Sequence, residues 1–203
     1  MSARWLGSLL PLMTSVLFFA GAAHAQTAPV TAKATFAGGC FWCLDSSYMQ
    51  FKGVTDVEVG YMGGHIDNPG YEAVCDGNTG HAEVARVHFD ESVIPAEVIL
   101  DIFFTLHDPR QLNRQGNDVG TQYRGAMFYA DDSQRELFEA ALERAKGHWD
   151  GELVTEIVPE ETFWMGEEYH QDFFAKNPNQ GYCNAVVAPK VAKVRKAFSS
   201  YLK

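Results

Sequence analysis

Apolar and polar residues alternate along several short stretches of the chain, and this pattern predicts strands. In residues 81–89, Ala82, Val84, Val87 and Phe89 stand among polar neighbours, which is typical of a half-buried strand. The same analysis predicts, in order, strand 33–38, helix 41–52, strand 54–61, strand 81–89, helix 95–106, strand 124–130, helix 132–148 and strand 153–158. This βαββαβ order followed by αβ predicts an α/β (α+β) sandwich, an open sheet with helices on one face.

Two long connections and an irregular tail interrupt these elements. Loops 62–80 and 107–123 are rich in glycine, and loops of that length in a compact domain are usually functional or disordered. After one short helix, proline and glycine in residues 177–183 oppose regular structure. We therefore expect residues 176–203 to form a mobile C-terminal tail that can carry Cys183 toward a site.

The N-terminus has the pattern of a cleaved export signal. Arg4 precedes an apolar stretch from Leu9 to Ala22, and Ala23-His24-Ala25 has the small-x-small form of a cleavage site. An uncleaved anchor is the alternative, but the stretch contains Pro11 and is shorter than the roughly 20 residues of a membrane span. We predict a signal peptide at 1–25, a single catalytic domain at 26–203, and a soluble monomer in the bacterial periplasm.

The charge balance limits the classes of partner. The formal net charge is −10, and it becomes −11 once Arg4 is removed with the signal peptide. This argues against nucleic acid or anionic lipid as the main partner. The basic cluster between Lys190 and Lys196 is typical of the solvated face of a terminal helix.

The strongest candidate for a reaction centre is the segment Gly38-Gly39-Cys40-Phe41-Trp42-Cys43, which lies between a predicted strand and a predicted helix. At the start of a helix, free N–H groups and the positive end of the dipole favour a thiolate. We therefore expect Cys40 to be a nucleophile with a lowered pKa. Phe41 and Trp42 can either line an apolar pocket beside it or simply bury the start of the helix.

Four cysteines, Cys40, Cys43, Cys75 and Cys183, leave three interpretations open. An exported chain with an even number of cysteines often carries structural disulfides, whereas a C-x-x-C pair also suits redox chemistry. The two bulky residues between Cys40 and Cys43 would crowd a partner disulfide in a thioredoxin-type reaction. A zinc site that adds Cys75 and His81 does not have the usual ligand spacing, so we expect no metal.

Several polar residues where loops meet strands are candidates for acid–base and binding roles. Glu83 lies in a strand that otherwise appears half buried, and a carboxyl in apolar surroundings can stay protonated and donate a proton near neutral pH. A solvent-facing strand residue is the alternative. Asp118 lies in a glycine-rich stretch and can be a turn residue. Tyr71 and Tyr123 can offer phenol donors to a bound oxygen or be core aromatics.

Five stretches in order along the chain resemble the peptide methionine sulfoxide reductase A family. They are Gly39-Cys40-Phe41-Trp42, then Gly60 to Gly64 with Asn68 to Tyr71, then Gly80-His81-Ala82-Glu83, then Gly116 to Arg124, and finally Asn177 to Cys183. The resemblance implies a ferredoxin-like core of βαββαβ order, with long loops and an irregular C-terminal tail. It also implies repair of methionine S-sulfoxide, free or in proteins, without a metal or organic cofactor.

The resemblance assigns a role to each candidate residue. Cys40 attacks the sulfoxide sulfur, Glu83 donates a proton to the oxygen, and Tyr71 and Tyr123 hold that oxygen. Asp118 supports the hydrogen bonds of the site. Phe41 and Trp42 would cradle the methyl group of the substrate.

After the attack, Cys40 remains as a sulfenic acid, which a thiol condenses into a disulfide. Cys183 matches the family's resolving position, but Cys43 stands where glycine is more usual and is an alternative resolving cysteine. Family members are typically recharged by thioredoxin, and export would require a thioredoxin-like donor outside the cytosol. Rival functions are a general thiol-disulfide oxidoreductase that uses Cys40 and Cys43, and an exported binding domain with two structural disulfides.

Overall fold

The computed structural model describes Met1 and residues 31–203. Its strands are β1 Thr31–Gly38, β2 Val54–Met62, β3 Ala82–Asp90, β4 Arg114–Gln115, β5 Asp118–Val119, β6 Gly125–Tyr129, β7 Glu156–Pro159 and β8 Trp164–Met165. Its α-helices are α1 Phe41–Tyr48, α2 Tyr71–Cys75, α3 Ala96–Leu106, α4 Asp132–Lys146, α5 Phe173–Lys176 and α6 Ala188–Ala197. The predicted signal peptide lies outside the described residues.

A mostly antiparallel sheet of six strands, in the order β7-β6-β1-β3-β2-β8, forms the centre of the molecule. Strand β1 pairs antiparallel with both β3 and β6, and β2 pairs antiparallel with β3 and β8. Only β6 and β7 among these six strands run parallel. Because β1 and β3 are antiparallel neighbours, the segment after β1 and the start of β3 lie at the same edge of the sheet.

Apolar residues cover the sheet on both faces. The larger core packs helices α1, α3, α4 and α6 against one face, with Phe36, Phe103 and Phe138 at its centre. A smaller cluster around Met62 and Phe128 covers the other face. Helix α1 is buried around most of its surface, since seven of its eight residues are buried. The start of α1 is therefore held rigidly between the sheet and the C-terminal helix.

The mixed α/β class is confirmed, and the predicted strands and helices are present, with differences at their ends and with additional short elements between them. The prediction of a helix over 41–52 is wrong beyond Tyr48, because the last residues of the chain bind the segment that follows. Lys52 N–H donates to Tyr201 O over 2.7 Å, and Lys203 N–H donates to Gln50 O over 3.0 Å. The predicted loop 62–80 contains α2, and loop 107–123 contains the small β4–β5 hairpin. These contacts join residues far apart in sequence, so local patterns do not report them.

The prediction of an irregular C-terminal tail is wrong from Gly181 onward. Residues 181–182 begin a helical segment that continues through a π-helical turn, Cys183–Val187, into α6. Val187 and Val194 are fully buried, and α6 packs against α1 and α3. Burial of this apolar stripe outweighs the weak helix propensity of Gly181. Mobility of residues 176–203 stays a prediction.

Within residues 31–203, no helix combines the length and the apolar character that crossing a lipid bilayer requires.

Candidate active site

Cys40 lies at the junction of β1 and α1, where the glycine-rich turn ends. Gly39 has φ +85°, a left-handed conformation, and a Cβ at that position would lie 2.7 Å from Cβ of Gln115. Glycine is therefore required by both the backbone and the neighbouring side chain. Cys40 itself is the residue that precedes the first turn of α1, and only 6% of its surface is exposed.

Glu83 lies beside the start of this helix, as the sequence predicted. It is 1% exposed, and its Oε2 accepts a hydrogen bond from the backbone N–H of Phe41 over 3.0 Å. Burial raises the pKa of Glu83 well above its ordinary value, and a charge on Cys40 raises it further, while the Phe41 N–H acts in the opposite direction. The alternative of a solvent-facing strand residue is therefore wrong, and burial favours the protonated carboxyl.

Cys40, Cys43 and Cys183 form one buried cluster with Val187 and Val191, and all four cysteines of the chain are free thiols in the structure. The interaction with the Cys40 thiol lowers the pKa of Cys43. Cys183 is fully buried, and its pKa is raised by burial and then by Cys40. The free thiols contradict the interpretation with two structural disulfides.

The expectation of a lowered pKa at Cys40 is wrong for this arrangement. Burial raises the pKa of the Cys40 thiol well above its ordinary value, and the contact with Cys43 adds to the effect. The Trp42 N–H and the Tyr182 hydroxyl lower it, but by less. A short helix end contributes roughly 0.3–1 kcal/mol to an exposed charge. Desolvation of a fully buried group is the larger effect.

Asp118 accepts a hydrogen bond from Tyr182, a residue that the sequence analysis did not identify. The hydroxyl of Tyr182 donates to Oδ2 of Asp118 over 2.5 Å and also interacts with the sulfur of Cys40. Asp118 therefore supports the hydrogen bonds around the nucleophile through Tyr182. The adjacency of Tyr182 to Cys183 was the available signal, although it does not specify which residue the hydroxyl meets.

Phe41 and Trp42 pack among other aromatic residues next to Cys40. Phe41 is 1% exposed and packs on Tyr61 and Tyr71, with ring centroids 5.9 and 6.4 Å away. Trp42 is half buried, and its indole stacks on Phe173 with centroids 3.8 Å apart. The two residues thus combine both alternatives, because Phe41 fills the core at the helix start while Trp42 remains partly accessible.

The two predicted phenols flank the acid. Burial raises the pKa of Tyr71 and of Tyr123, and the charge of Glu83 contributes to both shifts. Each phenol therefore stays protonated and can donate a hydrogen bond to an oxygen near Glu83. Tyr71 also interacts through its hydroxyl with the thiol of Cys75, which places Cys75 at the border of the site.

His170 is a second buried residue that the sequence analysis did not assign. Its Nδ1 accepts a hydrogen bond from the indole Nε1 of Trp42 over 3.1 Å, and its ring lies 4.3 Å from that of Tyr71. Burial lowers the pKa of His170, so the ring is neutral near pH 7 and carries its proton on Nε2. His170 lies far along the chain from Trp42, so no local sequence pattern indicates their contact.

Donors that could hold a cation lie elsewhere on the sheet. In the described part of the chain, Asp56, Glu58 and His88 place one ligand atom each within 4.8 Å of one another. Glu58 is already engaged by His88 Nε2 at 2.9 Å and by Arg86 at 3.7 Å. These neighbours compete for the carboxylate, and none of the three donors belongs to the cysteine site.

Comparisons with known proteins agree with this geometry. The family model described as peptide methionine sulfoxide reductase matches residues 32–202. The chain is 65% identical over 167 residues to the peptide methionine sulfoxide reductase MsrA of Clavibacter michiganensis subsp. michiganensis, which covers 82% of this chain and 95% of the relative. Among solved structures, reduced Mxr1 from Saccharomyces cerevisiae matches with a TM-score of 0.72 and 34% identity, covering 75% of this chain and 89% of that one. Methionine sulfoxide reductase A of Corynebacterium diphtheriae matches with a TM-score of 0.68 and 32% identity, covering 78% and 80%.

Proposed function

This chain belongs to the peptide methionine sulfoxide reductase family and is an oxidoreductase that reduces methionine sulfoxide to methionine; we propose that Cys40 and Glu83 carry out the reaction. The observation that carries the proposal is the position of Glu83, buried at the start of α1 and bonded to the N–H of the residue after Cys40. A protonated acid beside a thiol supplies the two groups that this reduction requires.

Glu83 acts as the general acid. Its carboxyl is neutral near pH 7 because burial raises its pKa. The bond from Phe41 N–H to Oε2 holds one oxygen, and the O–H is left free to point at the substrate. Protonation of the sulfoxide oxygen makes it a better leaving group, so the sulfur becomes more open to attack.

Cys40 is the nucleophile. Its sulfur attacks the sulfoxide sulfur and forms an S–S bond, while the S–O bond breaks and the protonated oxygen leaves as water. Water then attacks the Cys40 sulfur, the S–S bond breaks, methionine leaves, and Cys40 remains as a sulfenic acid. Methionine sulfur is reduced by two electrons, and Cys40 is oxidised by two. Two protons, one from Glu83 and one from the Cys40 thiol, convert the leaving oxygen to water, and the proton that water releases on attacking Cys40 returns to Glu83.

The remaining site residues bind and orient the substrate. Phe41 and Trp42 present aromatic surface to the methyl group, while the phenols of Tyr71 and Tyr123 donate to the oxygen beside Glu83. Asp118 acts through Tyr182, whose hydroxyl it fixes. A pocket with fixed donors on one side of the sulfur discriminates between epimers, and by family resemblance we assign the S epimer.

A second thiol then resolves the sulfenic acid. We assign this role to Cys183, whose sulfur displaces water from Cys40 and forms a disulfide. Cys43 stays an alternative resolving cysteine, because it belongs to the same buried cluster as Cys40 and Cys183. A thioredoxin-like dithiol then reduces the disulfide and releases both cysteines.

We further propose that residues 1–25 direct export and that the mature protein acts as a monomeric repair enzyme in the periplasm. The support is the positive charge of Arg4, the apolar stretch from Leu9 to Ala22, and the small residues Ala23 and Ala25. Sequencing of the N-terminus of the protein from a periplasmic extract tests this, with Gln26 as the expected first residue. We also assign the four strands in the order β6-β1-β3-β2 to a ferredoxin-like core, supported by their antiparallel pairing.

The central experiment incubates the mature chain with each epimer of methionine sulfoxide and dithiothreitol and measures methionine. We expect methionine from the S epimer, none from the Cys40→Ser variant, and slow release from Glu83→Gln. Glu91→Gln, at an exposed carboxyl in the turn after β3, is the matched control and should behave as the unaltered enzyme. Methionine formation by Cys40→Ser would contradict the proposal. A general thiol-disulfide oxidoreductase would instead reduce a disulfide substrate at full rate in both Cys183→Ser and Glu83→Gln.

A further inference from the structure

Glu167 is an acidic residue that the proposed reaction does not use, although its carboxylate binds the chain at Tyr71. One oxygen, Oε1, accepts the backbone N–H of Tyr71 over 2.8 Å. The other oxygen, Oε2, accepts the hydroxyl of Tyr61 over 2.7 Å. His170 Nε2 lies 3.8 Å from Oε2, which is beyond hydrogen-bond distance. Two bonds, one to each oxygen, therefore define the orientation of this carboxylate.

The two donors keep the carboxyl of Glu167 ionised. About a third of the side chain is exposed (35%). Burial acts to raise the pKa of Glu167, but the N–H of Tyr71 and the hydroxyl of Tyr61 lower it, and the net shift is downward. Hydrogen bonds to an ionised acceptor are roughly twice as strong as those between neutral groups. Glu167 is therefore a strong acceptor for both donors.

The backbone that carries Glu167 is held against β2 by the side-chain amide of Gln171. This amide accepts the N–H of Val59 over 3.0 Å, and it donates to the carbonyls of Val59 and Gly166, each over 3.0 Å. The N–H of Gly166 in turn donates to the carbonyl of Val59 over 2.9 Å. Residues 166–171 therefore form a loop whose two ends are held at one residue of the sheet. The position of Glu167 is set by β2.

The carboxylate of Glu167 joins this rigid strand to the start of a short helix. Tyr61 belongs to β2 and is fully buried. Helix α2, Tyr71–Cys75, has five residues, and one of them is buried. Gly70, which precedes the helix, has no side chain with which to cap it, so the first N–H of α2 is satisfied by Glu167 instead. The bond from Glu167 is thus the tie that fixes the start of α2 to the sheet.

We propose that Glu167 is a positioning residue for the reduction, which holds the start of α2 so that the phenol of Tyr71 stays directed at the sulfoxide oxygen beside Glu83. This inference rests on the proposed function. The Tyr71 ring packs on Phe41 and His170, with centroids 6.4 and 4.3 Å away, so the ring has little room to compensate for a shift of its backbone. A misaligned phenol stabilises the departing oxygen less well, which slows the chemical step more than it weakens ground-state binding.

The test measures a single turnover, so that neither the resolving thiol nor the reductant limits the rate. Excess mature enzyme is mixed with N-acetylmethionine S-sulfoxide methylamide, and formation of the reduced amide is followed at several enzyme concentrations. The rate at saturating enzyme reports the chemical step, and its concentration dependence reports affinity. Glu167→Met removes both acceptor oxygens and should lower the saturating rate roughly 2- to 10-fold, the effect of one hydrogen bond, with a smaller change in affinity.

Two further variants show whether the effect belongs to the acceptor oxygens. Glu167→Gln keeps one oxygen for the N–H of Tyr71, and its amide can donate to the hydroxyl of Tyr61, so it should retain most of the rate. Glu168→Met changes the neighbouring carboxyl, whose side chain is 93% exposed, and should match the unaltered enzyme. A loss in Glu168→Met as large as that in Glu167→Met would overturn the inference.

A double-mutant cycle separates positioning from a general structural effect. Tyr71→Phe removes only the hydroxyl and should lower the saturating rate at least as much as Glu167→Met. Adding Glu167→Met to Tyr71→Phe should cause no further loss, because both act through the same hydroxyl. A saturating rate equal to that of the parent in either single variant would overturn the inference, as would losses that multiply in the double variant.

Urea unfolding verifies that each variant is folded. If Glu167→Met does not fold, Glu167→Asp replaces it in the cycle with the same expectation, since its shorter carboxylate cannot reach both donors. Failure of the proposed function would appear separately, as an unaltered enzyme that forms no reduced amide.

Discussion

The hydroxyl of Tyr182 and the carboxylate of Asp118 share a hydrogen bond of 2.5 Å across 64 residues of sequence. The same hydroxyl interacts with the sulfur of Cys40 and lowers the pKa of that thiol, against the larger effect of burial. One phenol therefore links the glycine-rich loop, the C-terminal segment and the nucleophile. It also stands next to Cys183 in the chain, so any approach of Cys183 to Cys40 displaces or carries this hydroxyl.

Replacing Tyr182 by phenylalanine should make Cys40 less reactive. The variant loses the hydroxyl whose interaction lowers the pKa of the Cys40 thiol, so that pKa rises and less thiolate exists at neutral pH. In a Cys43→Ser background, alkylation of Cys40 by iodoacetamide should slow by about 2- to 10-fold, the effect of one hydrogen bond. Tyr169→Phe, at a phenol that is 56% exposed, is the control and should leave the alkylation rate unchanged. An unchanged rate in Tyr182→Phe would show that its hydroxyl does not reach the sulfur.

Replacing Glu83 by glutamine should reduce methionine formation by about 10²- to 10⁴-fold, the usual contribution of a general acid. The protein should remain folded, since the amide oxygen can still accept the N–H of Phe41. Because the reactive form of Glu83 is protonated and its pKa is raised by burial, activity should persist at neutral pH and fall as the pH rises through that pKa. The pH profile of single-turnover methionine release checks both points. A profile with the same alkaline limb in Glu83→Gln would assign that limb to another group.

Disulfide mapping after one turnover without reductant should identify the resolving thiol. We expect a Cys40–Cys183 disulfide in the unaltered enzyme, because the two cysteines share one buried cluster. Cys183→Ser should then show either a trapped sulfenic acid at Cys40 or a Cys40–Cys43 disulfide, and Cys43→Ser should leave the main product unchanged. A Cys40–Cys43 disulfide as the first product of the unaltered enzyme would transfer the resolving role to Cys43. Peptide mass spectrometry distinguishes these products.

Replacing Asp45 by asparagine should change how stability depends on pH. The pKa of Asp45 is raised in the folded chain from an ordinary 3.8 to about 7, so the folded state binds a proton more tightly than the unfolded state. Its contribution to stability is therefore largest below about pH 4 and is lost as the pH rises to about 7. A tenfold difference in proton affinity between the folded and the unfolded chain corresponds to about 1.4 kcal/mol of folding stability. Between acid and neutral pH, the free energy of unfolding of Asp45→Asn should therefore rise by a few kcal/mol relative to that of the unaltered chain.

Urea unfolding at acid and neutral pH measures this difference, with Glu91→Gln as the exposed control. The difference between Asp45→Asn and the unaltered chain should grow with pH. A constant difference would mean that Asp45 keeps an ordinary pKa in the folded state.

The local pattern of apolar and polar residues was sufficient to predict most of the helices and strands. Strands β1, β2 and β3 and helices α3 and α4 agree with the alternation of apolar residues to within two residues at each end. The turn before Cys40 was also recognisable, because paired glycines signal close packing at that point, and Gly39 is left-handed. Failures occurred where distant residues decide the outcome. The end of α1 is set by bonds from Tyr201 and Lys203, and the helical tail by burial of Val187 and Val194.

The sequence by itself indicated the residues to which we assign the chemistry: the proposed nucleophile in its glycine-rich turn, the proposed acid at the start of a strand, the aromatic pair and the candidate resolving thiols. Only the tertiary structure decided how far these residues are buried and in which direction their pKa values shift. The antiparallel pairing of β1 with β3 brings Glu83 to Cys40 and buries both, so desolvation raises both pKa values and reverses the shift expected for Cys40. Tyr182 and His170 were brought next to Cys40 and Trp42 in the same way. Burial and hydrogen bonding are properties of neighbours in space, and a linear pattern of side chains reports only neighbours in sequence.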